Sequence, residues 1–102
     1  KKDNIKRIIR FEFINFDLNK LMIIRSDLKF KINNTEKIIL EKMINNPGKV
    51  FAREDIGKII NLNKERSIDV IITRLRKKIE ADPKNPKFLQ TIRGAGYVLW
   101  IE

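Results

Sequence analysis

The 102 residues predict an α+β fold, and three observations carry that expectation. Short β-prone runs separated by turns fill 8–32, segments of helical period occupy 33–81, and two apolar runs joined across a glycine-bracketed turn close the chain. An N-terminal antiparallel β-sheet, three helices and a C-terminal β-hairpin wing make the winged helix-turn-helix arrangement. It is read as one domain over 8–102, preceded by a polar linker or frayed segment over 1–7. A chain of this length can fill a modest core without disulfide or metal staples, and 42% of its residues are hydrophobic.

Taken in order, the run Arg10-Phe-Glu-Phe-Ile-Asn-Phe16 directs Phe11, Phe13 and Phe16 toward a core. Asp17-Leu-Asn-Lys20 reads as a turn, Leu21-Met-Ile-Ile-Arg25 as a second strand and Ser26-Asp27 as another turn. In the third strand, Leu28, Phe30 and Ile32 alternate with Lys29 and Lys31, the pattern of a half-buried antiparallel strand. Interleaved lysines and aromatics also suit a nucleic-acid stacking surface, but simple alternation explains them more economically. Asn33 with Glu36 forms a capping box that opens a helix running to about residue 46, with Ile38, Ile39, Met43 and Ile44 inward. Asn45-Asn-Pro-Gly48 stops it. A second helix over about 53–60 buries Ile56, Ile59 and Ile60. Ala52 at its start cannot accept an amide proton through its side chain, which costs about 1 kcal/mol relative to a good cap. Glu54 and Asp55 in the first turn offset part of that through the helix dipole. Asn61-Leu-Asn-Lys64 then turns the chain into the third helix, over about 65–81.

That third helix is amphipathic in an unusual way. At about 100° per residue, Ile68, Ile72, Leu75 and Ile79 share one stripe, which docks a helix on a core. Roughly opposite stand Arg66, Val70, Arg74 and Lys77, flanked by Ser67 and Lys78. A helix in a DNA major groove uses such a mixture, because an apolar side chain meets thymine methyls while Arg donates to guanine O6 and N7. On the helix alone, a solvated surface with one stray valine accounts for the pattern equally well. The C-terminal segment tips the balance toward the groove. Phe88-Leu-Gln-Thr-Ile92 and Tyr97-Val-Leu-Trp-Ile101 read as the strands of a hairpin whose turn is Arg93-Gly-Ala-Gly96. Arg93 at the tip sits beside glycines that let a backbone approach another surface closely.

The net charge of +10 and pI near 10.1 point to a polyanionic partner. AT-rich coding would also enrich Lys, Ile and Asn, but would spread the charge evenly. Residues 1–33 carry nine basic and four acidic groups, 34–63 five and four, and 64–102 nine and five. The charge is thus only partly gathered on the presumed reading elements. Without Cys there is no disulfide or thiolate metal site, which suits a cytoplasmic protein. The absence of His removes the commonest general base and metal ligand. No Asp or Glu cluster has metal-binding spacing, so neither a catalytic residue nor a metal nor a cofactor is expected, and a nuclease is disfavoured. No apolar run approaches a membrane span and nothing reads as a signal peptide. The lack of an initiator Met reads as an excerpt of a longer protein or a processed chain.

Arg66-Ser-Ile-Asp-Val70, Arg74-Leu-Arg76 and Gln90-Thr-Ile-Arg-Gly-Ala-Gly-Tyr97 closely resemble the DNA-binding domain of OmpR/PhoB-type two-component response regulators. Pro47-Gly-Lys-Val-Phe-Ala-Arg-Glu-Asp-Ile56 is similar to that family's link into its second helix, and Ile32-Asn-Asn-Thr-Glu36 to the pattern that opens its first. The resemblance covers nearly the whole chain, with its motifs in the family's order. It implies an output domain that binds double-stranded DNA sequence-specifically and controls transcription, with helix 65–81 in the major groove and wing 88–101 at the minor groove. By the same resemblance Arg74 reads a base edge and Val70 meets thymine methyls. Ile71, about 60° from the buried stripe, either seals the core or reaches the groove. Arg66, Ser67, Thr73 and Arg76 are assigned to phosphates, Lys77 and Lys78 to phosphates or only the general field, and Arg93, Gly94 and Gly96 to the minor groove. A solvated turn residue is the competing account of Arg93. Asp69 is expected as an ion-pair partner on the helix surface.

The family also implies an N-terminal receiver domain outside this chain, phosphorylated on an aspartate, and dimerisation on paired half-sites. The isolated domain is expected to be a monomer that pairs on DNA. RNA polymerase is a further candidate partner in the family, through the loop before the third helix. Here that loop, 61–64, is several residues short, which argues against the contact. The alternative is a basic winged-helix module that binds RNA or protein without sequence-specific DNA readout, since fold does not fix function.

Overall fold

The computed structural model describes the backbone of 8–11 and the whole of 14–62 and 64–100. Ten elements succeed one another: β1 (Ile8–Phe11), β2 (Ile14–Asp17), β3 (Met22–Arg25), β4 (Leu28–Lys31), α1 (Asn34–Ile44), β5 (Val50–Phe51), α2 (Arg53–Ile60), α3 (Glu65–Ile79), β6 (Leu89–Ile92) and β7 (Gly96–Leu99). The first four strands form an antiparallel meander in chain order, and the last three a second sheet ordered β5-β7-β6. Three helices framed by a leading sheet and a closing hairpin are the expected α+β winged helix-turn-helix.

The strands depart from expectation in three places. Residues 10–16 are not one run, because Phe11 pairs with Ile14 and the chain reverses between β1 and β2. Nothing at Glu12-Phe13 signals a turn, so the β-prone run looks continuous. Phe16 is fully buried as expected; the side chains of Phe11 and Phe13, like residues 1–7, lie outside the described residues. Leu28, expected inward, is 55% exposed. It opens the edge strand β4, directly after the turn at Ser26-Asp27, where φ of +55° at Ser26 suits a tight hairpin. Phe30 is half-buried under the Arg25 guanidinium, 5.1 Å from its ring centre, and Ile32 is buried. The third departure is β5, two residues long and too short to carry any periodic signal.

The helices form where their sequence signals place them, although Ile44 of α1 and Ile59 and Ile60 of α2, expected inward, are only half-buried. Asn33 Oδ1 accepts from the Glu36 amide at 2.8 Å, and Glu36 Oε1 accepts from the Asn33 amide at 3.0 Å, completing the capping box. The buried face of α1 is Glu36, Ile39, Leu40 and Met43. Leu40 joins it and Ile38 turns half out, because the stripe centres one position away from the expected one. Ala52 makes no side-chain cap; the Asp55 carboxylate instead accepts from the Ala52 amide at 3.3 Å. At the far end of α2, Asn61 takes a left-handed φ of +59° and Leu62 donates to the Gly57 carbonyl at 2.8 Å. A Cβ on Gly57 would stand 2.3 Å from the Leu62 carbonyl oxygen, so only glycine admits this short return.

Both sheets and all three helices contribute to one core. Phe16, Ile23, Leu40, Ile56, Ile72 and Leu89 lie at or near zero exposure within it. α3 ends at Ile79 rather than 81, and Glu80 is already extended. The buried Glu80 carboxylate accepts from the amides of Lys87, Phe88 and Leu89 at 2.8–2.9 Å, which fixes where the wing begins.

Candidate nucleic-acid interface

The inward stripe of α3 is as expected: Ile68, Ile72, Leu75 and Ile79 are all buried. Its opposite face presents Arg66, Val70, Thr73, Arg74 and Lys77 to solvent. Val70 is 44% exposed, an apolar side chain held out among cations. Ile71 is half-buried and packs against the core, in keeping with its intermediate helical phase. The Thr73 hydroxyl donates to the Asp69 carbonyl one turn back at 2.8 Å, leaving its oxygen free only to accept.

Two of the cations assigned to phosphates are already engaged within the molecule. Arg76 donates through Nε to the Leu89 carbonyl at 2.9 Å and through Nη2 to the Thr91 hydroxyl at 2.8 Å, binding α3 to β6. Lys78 reaches Glu36 Oε1 at 3.0 Å, the carboxylate that also closes the α1 capping box. Glu36 is 2% exposed, so Lys78 satisfies a buried anion and ties α3 to the start of α1.

At the wing, Arg93 and Gly94 occupy the apex of a turn closed by the Ala95 amide donating to the Ile92 carbonyl at 2.9 Å. Gly94 has φ of +81° with open space around it, so the tip is unobstructed. Gly96 has an internal duty as well: a Cβ there would stand 2.1 Å from the Phe51 carbonyl oxygen, so the pairing of β7 with β5 requires glycine at this position.

One network was not visible in the sequence. Asp69, expected as an ion-pair partner, pairs with Arg53 of α2 at 3.0 Å, and its same Oδ1 accepts from the Tyr97 hydroxyl of β7 at 2.6 Å. Arg53 also meets Glu65 at 3.3 Å. The Asp69 carboxylate, and after it the hydrogen bond to Tyr97, raise the Arg53 pKa still further. Burial first, and then the bond to Asp69, push the Tyr97 phenol above the usual tyrosine range. Arg53 thereby offsets part of the acidic charge that Asp69 and Glu65 bring to α3. The partners are 16 and 28 residues away along the chain, beyond the reach of any local pattern. Between α2, α3 and the wing lies a polar cleft of about 320 Å³ lined by Arg53, Glu65, Thr91, Gly94 and Tyr97. Among the described residues no group of three His, Cys, Asp or Glu could hold a metal ion, and no helix is long and apolar enough to cross a membrane.

Comparison with known proteins agrees with this geometry. The family model "Transcriptional regulatory protein, C terminal" matches residues 27–99. The probable transcriptional regulator ycf27 of Guillardia theta is 38% identical over 97 residues, covering 89% of this chain and 38% of that protein. Response regulator DrrB of Thermotoga maritima, an OmpR/PhoB homologue, superimposes with a TM-score of 0.80 at 28% identity over 91% of this chain and 44% of its own. The DNA-binding domain of the response regulator AdeR, solved in complex with an intercistronic region, gives a TM-score of 0.70 at 28% identity, covering 92% of this chain and all of that one. The chain spans 38–44% of the curated relatives it matches. With the winged fold, the basic face of α3 and the family match in agreement, this chain belongs to the family of C-terminal domains of transcriptional regulatory proteins, of the OmpR/PhoB response-regulator type.

Proposed function

We propose that this domain binds double-stranded DNA sequence-specifically as the output domain of a two-component response regulator. The observation that carries the proposal is the exposed Val70 set among Arg66, Arg74 and Lys77, on the face opposite a fully buried stripe. Such a face fits a major groove, with Arg74 at a guanine edge and Val70 against thymine methyls. Arg93 at the open wing tip reaches the minor groove or its phosphates. Arg66, Ser67, Thr73 and Lys77 grip the backbone, which sets register without carrying sequence. Arg76 and Lys78 contribute chiefly by holding the reading helix in place, since their side chains are engaged with the wing and with α1. Ile71 is left to the core.

Control of transcription in the cytoplasm by a longer protein with an N-terminal receiver is supported by the family and by the share of each relative that the chain spans. Phosphorylation of that receiver would favour pairing on two half-sites. The shortness of the 61–64 segment, with Leu62 closing on Gly57, argues against a contact with RNA polymerase through it. Selection of bound duplexes from a random pool, at low and near-physiological salt, tests the proposal. A repeated motif that survives the higher salt is expected. Binding without enrichment, lost steeply with salt, would leave only the phosphate attraction and favour a basic module for another partner.

A further inference from the structure

Asp69 and Arg76 fasten α3 to the wing, and besides the bond from Arg76 to the Leu89 carbonyl both reach one cross-strand pair. Asp69 holds Tyr97 and Arg76 holds Thr91, while Thr91 and Tyr97 face each other across β6 and β7. Asp69 and Arg76 are seven residues apart, about 10 Å along the helix. Pairing with β5 and the burial of Leu89, Val98 and Leu99 anchor the base of the hairpin, and the two ties add a side-chain brace between the middle of α3 and the strands that lead to its tip. Arg93 sits two residues beyond Thr91, at the end of the lever that this grip controls. Arg53 completes the arrangement by pairing with Asp69, whose side chain is 34% exposed.

We infer that Asp69 is a positioning residue for DNA binding, fixing the wing arginine at a set offset from the α3 reading face so that both engage one site together. The inference rests on the DNA-binding proposal above. An acidic residue beside a polyanion is unfavourable by charge alone, and this gives the test its sign. If Asp69 were only a surface charge, its removal would free Arg53 and tighten binding. As a positioning residue, its removal weakens binding despite the gain in positive charge.

The experiment is a double-mutant cycle on a duplex carrying the selected motif, using this chain, Arg93→Ala, Asp69→Ala and the pair. Arg93→Ala is expected to weaken binding about tenfold in the parent and less than about threefold beside Asp69→Ala, as for coupled sites. Tyr97→Phe, which loses only the hydroxyl, should reproduce the coupling if Asp69→Ala does not fold. Ile39→Val, a mild core truncation in α1 away from the network, is the destabilised control, its fold checked by circular dichroism, and in it the Arg93 effect keeps its full size. Asp69→Ala binding as tightly as the parent or tighter, or an Arg93 effect unchanged in both network variants, would overturn the inference while leaving DNA binding intact. Failure of the parent chain to prefer any duplex would overturn both.

Discussion

At the scale of single residues, exposure separates readers from fasteners among the cations of α3. Arg74→Ala should cost roughly 1–3 kcal/mol on the preferred duplex and flatten the preference at one base position, whereas Lys77→Ala should weaken all duplexes alike. Titrations on the selected and on a scrambled duplex compare the two; equal losses for Arg74→Ala would remove it as a reader. Tyr97 supplies a second expectation. It is the sole tyrosine, so its ionisation can be followed by absorbance without ambiguity. Its pKa is raised in the fold, by burial and by Asp69, so its contribution to stability is complete below the unfolded value of about 10. That contribution is lost as pH rises through the higher folded value. Urea unfolding at several alkaline pH values should show a steeper decline for the parent than for Tyr97→Phe. The buried stripe and the exposed valine were legible in the sequence because helical period alone determines them. The engagement of Arg76, Lys78 and Asp69 was not, since each depends on a partner brought near only by the tertiary fold.

At the scale of elements, the two helix starts facing the wing are poorly capped, while α1 is capped fully. Ala52 already has the extended backbone of a cap residue, with φ −67° and ψ 157°. Ala52→Ser should therefore stabilise the domain by about 1 kcal/mol, read as a higher urea midpoint with an unchanged slope. Glu80 acts in the opposite sense. Replacing it with Ala strands three amides where β6 begins, at about 1–3 kcal/mol for each that finds no water. Loss of amide protection over 87–89 before the rest of the chain, seen by hydrogen exchange, would be its signature. Element existence was legible wherever a cap, a glycine or a clear period marked it. The reversal between β1 and β2 carries no turn-type residue in the sequence, and β5 is two residues long and defined only by its pairing with the distant β7.

At the scale of the whole molecule, the positive charge is broadly distributed and the reading face is a local refinement of it. Acidic groups near that face are partly answered internally, Asp69 and Glu65 by the single Arg53 and Glu36 by Lys78. Arg66, Lys77 and Arg93 remain for phosphates, so the logarithm of affinity should fall with the logarithm of salt at a slope of about −3 or steeper. A shallow slope beside a strong sequence preference would mean that these three do not meet the backbone.

Gly96 gives the wing a meaning apart from binding. Its missing Cβ makes room for the Phe51 carbonyl, whereas Arg93 three residues earlier has no such internal duty among the described contacts. The two halves of the hairpin motif therefore answer to different pressures. A descendant that abandoned nucleic acid would be free to exchange the arginine and obliged to keep the glycine. Finding the glycine in a distant chain testifies to shared architecture, and only the arginine beside it speaks to shared employment.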